Sequence, residues 1–202
     1  MIIEKLVVGL LETNCYILAD EKTKDAVIID PGDEHKKIRA KVEKLGLIPL
    51  CVIITHGHGD HIGANKDLGL PIWIHRFDAD SLADPAKNLS RAFDFEVRSP
   101  KAGRLLEDGE KFKVGSLELE IIHTPGHTPG GICVKCDGVV FTGDTLFCGG
   151  VGRTDLPQAS EKDLFKSIKT KLLTLDDSVV IYPGHGPSSS IGDEKRNNPF
   201  LE

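Results

Sequence analysis

The 202-residue sequence contains no apolar run approaching the ~20 residues that a membrane-spanning helix needs. A leader pattern is missing too: Glu4 interrupts the first apolar stretch, Met1-Ile2-Ile3-Glu4-Lys5-Leu6-Val7-Val8, and no cleavage-site pattern follows. There is no basic excess. The 25 Lys and Arg against 31 Asp and Glu leave a formal charge of −6, which argues against nucleic acid as the main partner. The five cysteines are an odd number, which suits a reducing, cytoplasmic compartment better than a disulfide framework. No linker, low-complexity tract or internal repeat divides the chain. It therefore reads as one domain over residues 1–202, with 40% hydrophobic residues for its core and no residue pattern that specifies an oligomeric state.

What is present is a repeated arrangement of short apolar strands that end in polar loops. Residues 1–8, 14–18 and 25–29 read as antiparallel strands, the last stopped by Asp30-Pro31-Gly32. From 33 to 45 the period turns helical, with Ile38, Val42 and Leu45 on one face and Gly46 as the terminating residue. A short helix is expected to begin at 63–68 and a strand at 71–75. Residues 78–100 read as a short helix and a loop carrying Phe93 and Phe95. Further strands fall at 116–122, 139–142 and 178–182, with a helix at 162–173 that buries Leu164, Phe165, Ile168 and Leu172. Cys133 and Cys136 have CxxC spacing, but three residues apart on a strand they face opposite ways and read as packing residues. Cys148 reads as a small buried side chain.

The chemistry is concentrated after the apolar run Leu50-Cys51-Val52-Ile53-Ile54. There Thr55-His56-Gly57-His58-Gly59-Asp60-His61 gathers three imidazoles and a carboxylate at a strand end, with two glycines that let the backbone bend. Imidazole and carboxylate are ligand types that zinc and related first-row metals prefer. Three later strands run into Gly126-His127, Gly143-Asp144 and Gly184-His185. The seven candidates are His56, His58, Asp60, His61, His127, Asp144 and His185. They are too many for one tetrahedral zinc but suit two metals if one carboxylate bridges. Zinc is the first expectation, with iron or manganese also compatible. His35, His75 and His123 read as surface or structural histidines.

With its motifs in that order over nearly the whole chain, the sequence resembles the metallo-β-lactamase superfamily. Asp30-Pro31-Gly32 and Asn14-Cys15-Tyr16 are further points of likeness. The resemblance implies an α/β fold, an αββα four-layer sandwich of two mixed sheets flanked by helices. It assigns His56, His58 and His127 to one metal, and Asp60, His61 and His185 to a second, with Asp144 bridging. Within the superfamily, Thr55 to Gly63, Thr124 to Gly130 and Gly143-Asp144-Thr145-Leu146-Phe147 look like the glyoxalase II group, hydrolases of S-2-hydroxyacylglutathione thioesters. The chain looks like a short branch of that group without its helical C-terminal domain.

The implied activity is hydrolysis of a small-molecule thioester by a metal-bridging hydroxide, with Asp60 and Asp144 as catalytic residues and Arg153 as a substrate anchor. Gly152-Arg153-Thr154-Asp155 also resembles persulfide dioxygenases, in which His56, His127 and Asp144 would hold one iron. A non-catalytic, metal-stabilised binding module is the third reading.

Overall fold

The protein is described here by a computed structural model covering residues 1–93 and 96–201. The first sheet starts with β1 (Ile2–Val8), β2 (Thr13–Ala19) and β3 (Asp25–Ile29), joined antiparallel by tight turns. After α1 (His35–Lys44), β4 (Ile48–Ile54) adds parallel to β3. Two short helices follow, α2 (Gly59–Ile62) and α3 (Asn65–Leu68). Then β5 (Ile72–His75) and β6 (Arg104–Leu106) extend the sheet in parallel, giving the order β1-β2-β3-β4-β5-β6.

The second sheet starts with the meander β7 (Lys111–Val114), β8 (Leu117–His123), β9 (Ile132–Cys136) and β10 (Val139–Gly143). A small hairpin, β11 (Leu146–Phe147) and β12 (Gly150–Val151), precedes α4 (Glu161–Ser167). The chain then returns as β13 (Val180–Pro183), parallel to β10, and β14 (Ser189–Ser190), before α5 (Ile191–Asn197). No helix among the described residues is long and apolar enough to cross a membrane.

Strand alternation builds the layers, because successive side chains point to opposite faces. Leu18, Ile29 and Ile53 point inward against Ile121, Val134 and Phe141 of the second sheet. Their neighbours Ile17, Ile28 and Ile54 point outward and pack under Ile38 and Val42 of α1. On the far side, Ile122, Val140 and Ile181 pack under Leu164, Ile168, Leu172 and Ile191. Three apolar layers between helix, sheet, sheet and helix make the expected αββα sandwich. Cys133 belongs to the outer layer and Cys136 to the inner one, so the two thiols diverge as their spacing predicts.

Three expectations need correction. The helix expected at 162–173 is regular only to Ser167. A wider turn follows at Ile168–Leu172, where the Leu173 N–H reaches back to the Ile168 carbonyl at 2.9 Å. That turn keeps Leu164, Ile168 and Leu172 buried on one side, while Phe165 is half-buried. Cys148 is exposed, because it sits at the tip of the β11–β12 hairpin beyond the core. The segment at 78–100 forms two 3-10 turns, Ala79–Leu82 and Ser90–Phe93, in place of one short helix. Phe95 lies outside the described residues.

Candidate metal centre

The loops that follow β4, β8, β10 and β13 meet at one edge of the two sheets, and all seven predicted donors converge there. His56 Nε2 and His127 Nε2 each lie 3.0 Å from His58 Nδ1. Beside them, Asp60 Oδ2 lies 3.5 Å from His61 Nε2 and 3.3 Å from His185 Nε2. Asp144 stands between the two groups: Oδ1 is 3.5 Å from His61 Nε2, and Oδ2 is 3.6 Å from both His127 Nε2 and His185 Nε2. The separate donor sets His56–His58–His127 and Asp60–His61–His185 are each tight enough to share one ion.

Hydrogen bonds fix which nitrogens face the cluster. His127 Nδ1 must carry a proton, since it donates to the Arg153 carbonyl at 2.9 Å. His61 Nδ1 donates to Asp30 Oδ2 at 2.9 Å. The Thr55 hydroxyl donates to Asp30 at 2.6 Å, so it is free to accept from His56 Nδ1 at 3.2 Å. Each of these rings therefore aims an Nε2 lone pair inward. Buried lone pairs that face one another repel unless a cation or proton lies between them. His61 Nε2 and Asp144 Oδ1 are buried with no hydrogen-bond partner, as atoms reserved for an ion would be. Two nitrogens bound to one tetrahedral zinc stand about 3.3 Å apart, close to the spacings seen here. The donor set fits metal ions.

The chain's own charges divide the cluster in two. Burial holds His56 and His58 below the usual imidazole range, His58 at about 3, and the neighbouring imidazoles reinforce this. Burial also opposes charge on His61, but Asp60, Asp144 and Asp30 outweigh it and raise His61 to about 10. His185 is raised as well: burial lowers it, while Asp60 and Asp144 dominate. Burial acts to raise Asp60, yet His61 and His185 hold it below the ordinary carboxylate range. His56 and His58 are thus neutral imidazoles, whereas His61 and His185 belong to a cation-seeking cluster built on carboxylates.

Each donor loop is braced from behind. Asn14 Nδ2 donates to the carbonyls of Pro183 and Gly186, the Tyr16 hydroxyl donates to Pro183, and the Asn14 N–H donates to Gly184. The Asn14-Cys15-Tyr16 motif therefore carries the loop of His185. Gly184 is required at its position: a Cβ there would lie 2.2 Å from Asp144 Oδ1 and 2.8 Å from His61 Cε1. The N–H of Ser160, just before α4, and the hydroxyl of Ser167, its last residue, donate to the carbonyls of Gly126 and Pro125 and so hold the loop of His127.

Asp78 escaped the sequence reading. It is buried, and its carboxylate accepts from the Gly57 N–H, the Thr128 hydroxyl and the Gly130 N–H at 2.8, 2.7 and 2.6 Å. It joins the loop of His56 and His58 to the loop of His127. A lone Asp in a segment without periodicity gave no signal. Asp30 was visible as a motif, but its bond to His61 was not. His75 is buried and stacks on His123, with ring centroids 4.0 Å apart. His123 Nε2 donates to the Pro129 carbonyl, so both are structural as expected. His35 is half-buried beside Asp67.

The cluster opens into a cleft of about 360 Å³, with Leu11, Leu89, Phe147 and Leu156 among its walls and Asn88, Ser90 and Arg153 as polar lining. The Arg153 guanidinium is largely exposed and forms a two-point pair with Asp155 at 2.9 and 2.8 Å.

A His and Asp cluster at the loop edge of an αββα sandwich defines a metal-dependent hydrolase. The chain belongs to the metallo-β-lactamase superfamily, whose sequence model matches residues 8–185. The hydroxyacylglutathione hydrolase GloC of Haemophilus influenzae is 40% identical over 211 residues, covering 100% of this chain and 98% of its own. Among solved structures, BLEG-1, described as a B3 metallo-β-lactamase, has a TM-score of 0.94 and 34% identity over 99% of both chains. TTHA1623 in a di-iron-bound form has a TM-score of 0.88 and 38% identity, covering 98% of this chain and 100% of that one. ETHE1 from Myxococcus xanthus has a TM-score of 0.83 and 30% identity, covering 100% of this chain and 84% of that one.

Proposed function

We propose that this chain, acting as one domain in the cytoplasm, is a binuclear metallohydrolase that cleaves small thioesters of the S-2-hydroxyacylglutathione type. The observation that carries the reading is Asp144, whose carboxylate reaches both donor sets: Oδ1 faces His61, and Oδ2 faces His127 and His185. In this assignment His56, His58 and His127 hold one ion, Asp60, His61 and His185 hold the other, and Asp144 bridges. Zinc is the first choice, and the di-iron form of TTHA1623 supports iron as well. When bound, the ions supply a strong nucleophile at neutral pH and a Lewis acid for the substrate carbonyl.

The remaining roles belong to the chain. Asp60 Oδ2 accepts the Thr13 hydroxyl at 3.1 Å, which fixes the carboxylate beside His61 and His185, where it would orient the nucleophile. The apolar walls around Leu11, Leu89, Phe147 and Leu156 limit water over the reacting carbonyl. Arg153, at the rim, exchanges Asp155 for a substrate carboxylate. A thiolate leaves readily, so this reaction needs little general-acid help. The similarity to GloC supports a hydroxyacylglutathione as substrate.

A second reading, persulfide oxidation at one iron, rests on the Gly152-Arg153-Thr154-Asp155 segment and on the 3.6 Å approach of His127 to Asp144. Zinc-loaded and iron-loaded protein should be assayed for thiol release from S-lactoylglutathione, for oxygen uptake with glutathione persulfide, and for β-lactam cleavage. Zinc-supported thiol release without oxygen uptake is expected. Iron-dependent oxygen uptake with no thiol release would reverse the choice, and β-lactam turnover alone would replace it.

A further inference from the structure

Glu194 is 3% exposed, and its carboxylate is held by neutral donors: the Gly149 N–H at 2.9 Å, the Asn198 amide at 2.7 Å and the Ser189 hydroxyl. Burying an ionised carboxylate is costly unless hydrogen bonds replace its water, and the partners belong to two segments that flank the cleft. Gly149 forms the turn of the β11–β12 hairpin, which begins two residues after Asp144. Ser189 lies on β14, four residues beyond His185. Asn198, which follows α5 and bonds the same carboxylate, also donates to the Gly150 carbonyl at 3.1 Å, so the end of α5 grips two successive residues of the hairpin, Gly149 and Gly150.

Within that hairpin the strand alternation separates two roles. Leu146 is fully buried against the outer helical layer, while Phe147 points the other way and lines the cleft. The Phe147 ring stands 6.4 Å from the His185 ring, centroid to centroid. A two-residue strand pair has little stability of its own, so the position of Phe147 depends on what holds the turn.

We propose that Glu194 is a positioning residue, clamping the β11–β12 hairpin to the strand that leaves His185 and so fixing Phe147 as the apolar wall of the substrate cleft. The ligand part it serves is an apolar group attached to the sulfur-bearing end of the substrate, and this use of the wall rests on the thioester reading above.

The test is a double-mutant cycle on binding of S-hexylglutathione, a thioether that is not hydrolysed, in metal-loaded protein. Phe147→Ala should weaken binding roughly tenfold, the loss of about one well-buried aromatic contact. Glu194→Gln and Glu194→Ala should weaken it several-fold with metal content unchanged. In the Phe147→Ala background they should add less than about a twofold further change, because the two residues act through one wall. Glu194→Gln keeps the size of the side chain and serves if the alanine variant does not fold. With S-lactoylglutathione the same variants should raise KM and leave kcat nearly constant. Independent, multiplying effects would overturn the proposal, and so would absence of S-hexylglutathione binding by the wild-type protein. Binding that follows the cycle with no thioester turnover would instead overturn the hydrolase reading and leave Glu194 as assigned.

Discussion

The buried Asp30 carboxylate lies 2.9 Å from His61 Nδ1 while also accepting the Thr55 N–H at 2.7 Å. One acid at the end of β3 thus orients an imidazole on α2 and secures the first residue of the histidine loop. Asp30→Asn keeps the size of the side chain but removes its charge from His61. Outer-sphere partners of this kind typically contribute 10–100-fold in metal affinity. A competitive chelator titration should show roughly that loss at the ion proposed for Asp60, His61 and His185, with the other proposed ion less affected. Wild-type affinity at both would show that Asp30 merely caps a strand.

Asp78 performs the equivalent task between the other two loops. Asp78→Ala leaves the Gly57 and Gly130 N–H groups buried without their acceptor, at a cost of about 1–3 kcal/mol for each group left unsatisfied. The expected outcome is a lower Tm together with weaker binding of the ion proposed for His56, His58 and His127. Unchanged Tm and unchanged metal binding would mean the three hydrogen bonds to Asp78 have no energetic role.

The contrast between these two acids explains how far the sequence could be read. Asp30 sits in a compact Asp-Pro-Gly motif that follows a strand, and the donors sit in Gly-flanked motifs after apolar runs, so local spacing disclosed them. The layers were legible for the same reason: alternation along 25–29 and 50–54 sends neighbouring residues to different faces. Asp78 works across 21 residues to Gly57 and 52 to Gly130, and no local pattern encodes such distances. The strands Arg104–Leu106 and Lys111–Val114 gave little signal because they are short edge strands with exposed, charged positions.

The five thiols should separate sharply. Burial pushes the thiols of Cys51, Cys133 and Cys136 up to about 12, 11 and 11, and raises Cys15 as well. The thiolate is the reactive form, and only Cys148 is exposed. Titration with a disulfide reagent should modify one thiol per native chain and five after unfolding. Rapid reaction of a second native thiol would show that the core opens more readily than its packing implies.

Asp20 ties the β2–β3 turn to the turn between β7 and β8, and so joins the two sheets at their far edge. Its carboxylate accepts the Ser116 hydroxyl and N–H and the Lys22 N–H. The Ser116 bonds, with the Lys22 N–H, hold it below the usual carboxylate range. A depressed folded-state pKa adds stability that is complete above the unfolded value, about 3.9, and is lost as pH falls through the folded one. Asp20→Asn should therefore lower Tm at pH 7, and its deficit should shrink as the pH is taken below about 4. A Tm difference independent of pH would assign the effect to packing.

Asp144 gives the most direct test of a shared carboxylate. Its Oδ1 faces His61 and its Oδ2 faces His127 and His185, so one side chain contacts both donor sets. His58 is 3.0 Å from two donors of the first set only. Reconstituted wild-type protein should hold close to two ions per chain. His58→Ala should lose chiefly the ion of its own set, together with hydrolysis, because the second set keeps Asp60, His61, His185 and Asp144. Asp144→Ala should weaken both ions, since removal of a bridge withdraws a ligand from each. Metal analysis after dialysis against a weak chelator separates these outcomes. Loss of one ion from Asp144→Ala, with the other bound normally, would place that carboxylate in a single set, and wild-type protein that never exceeds one ion would end the binuclear assignment.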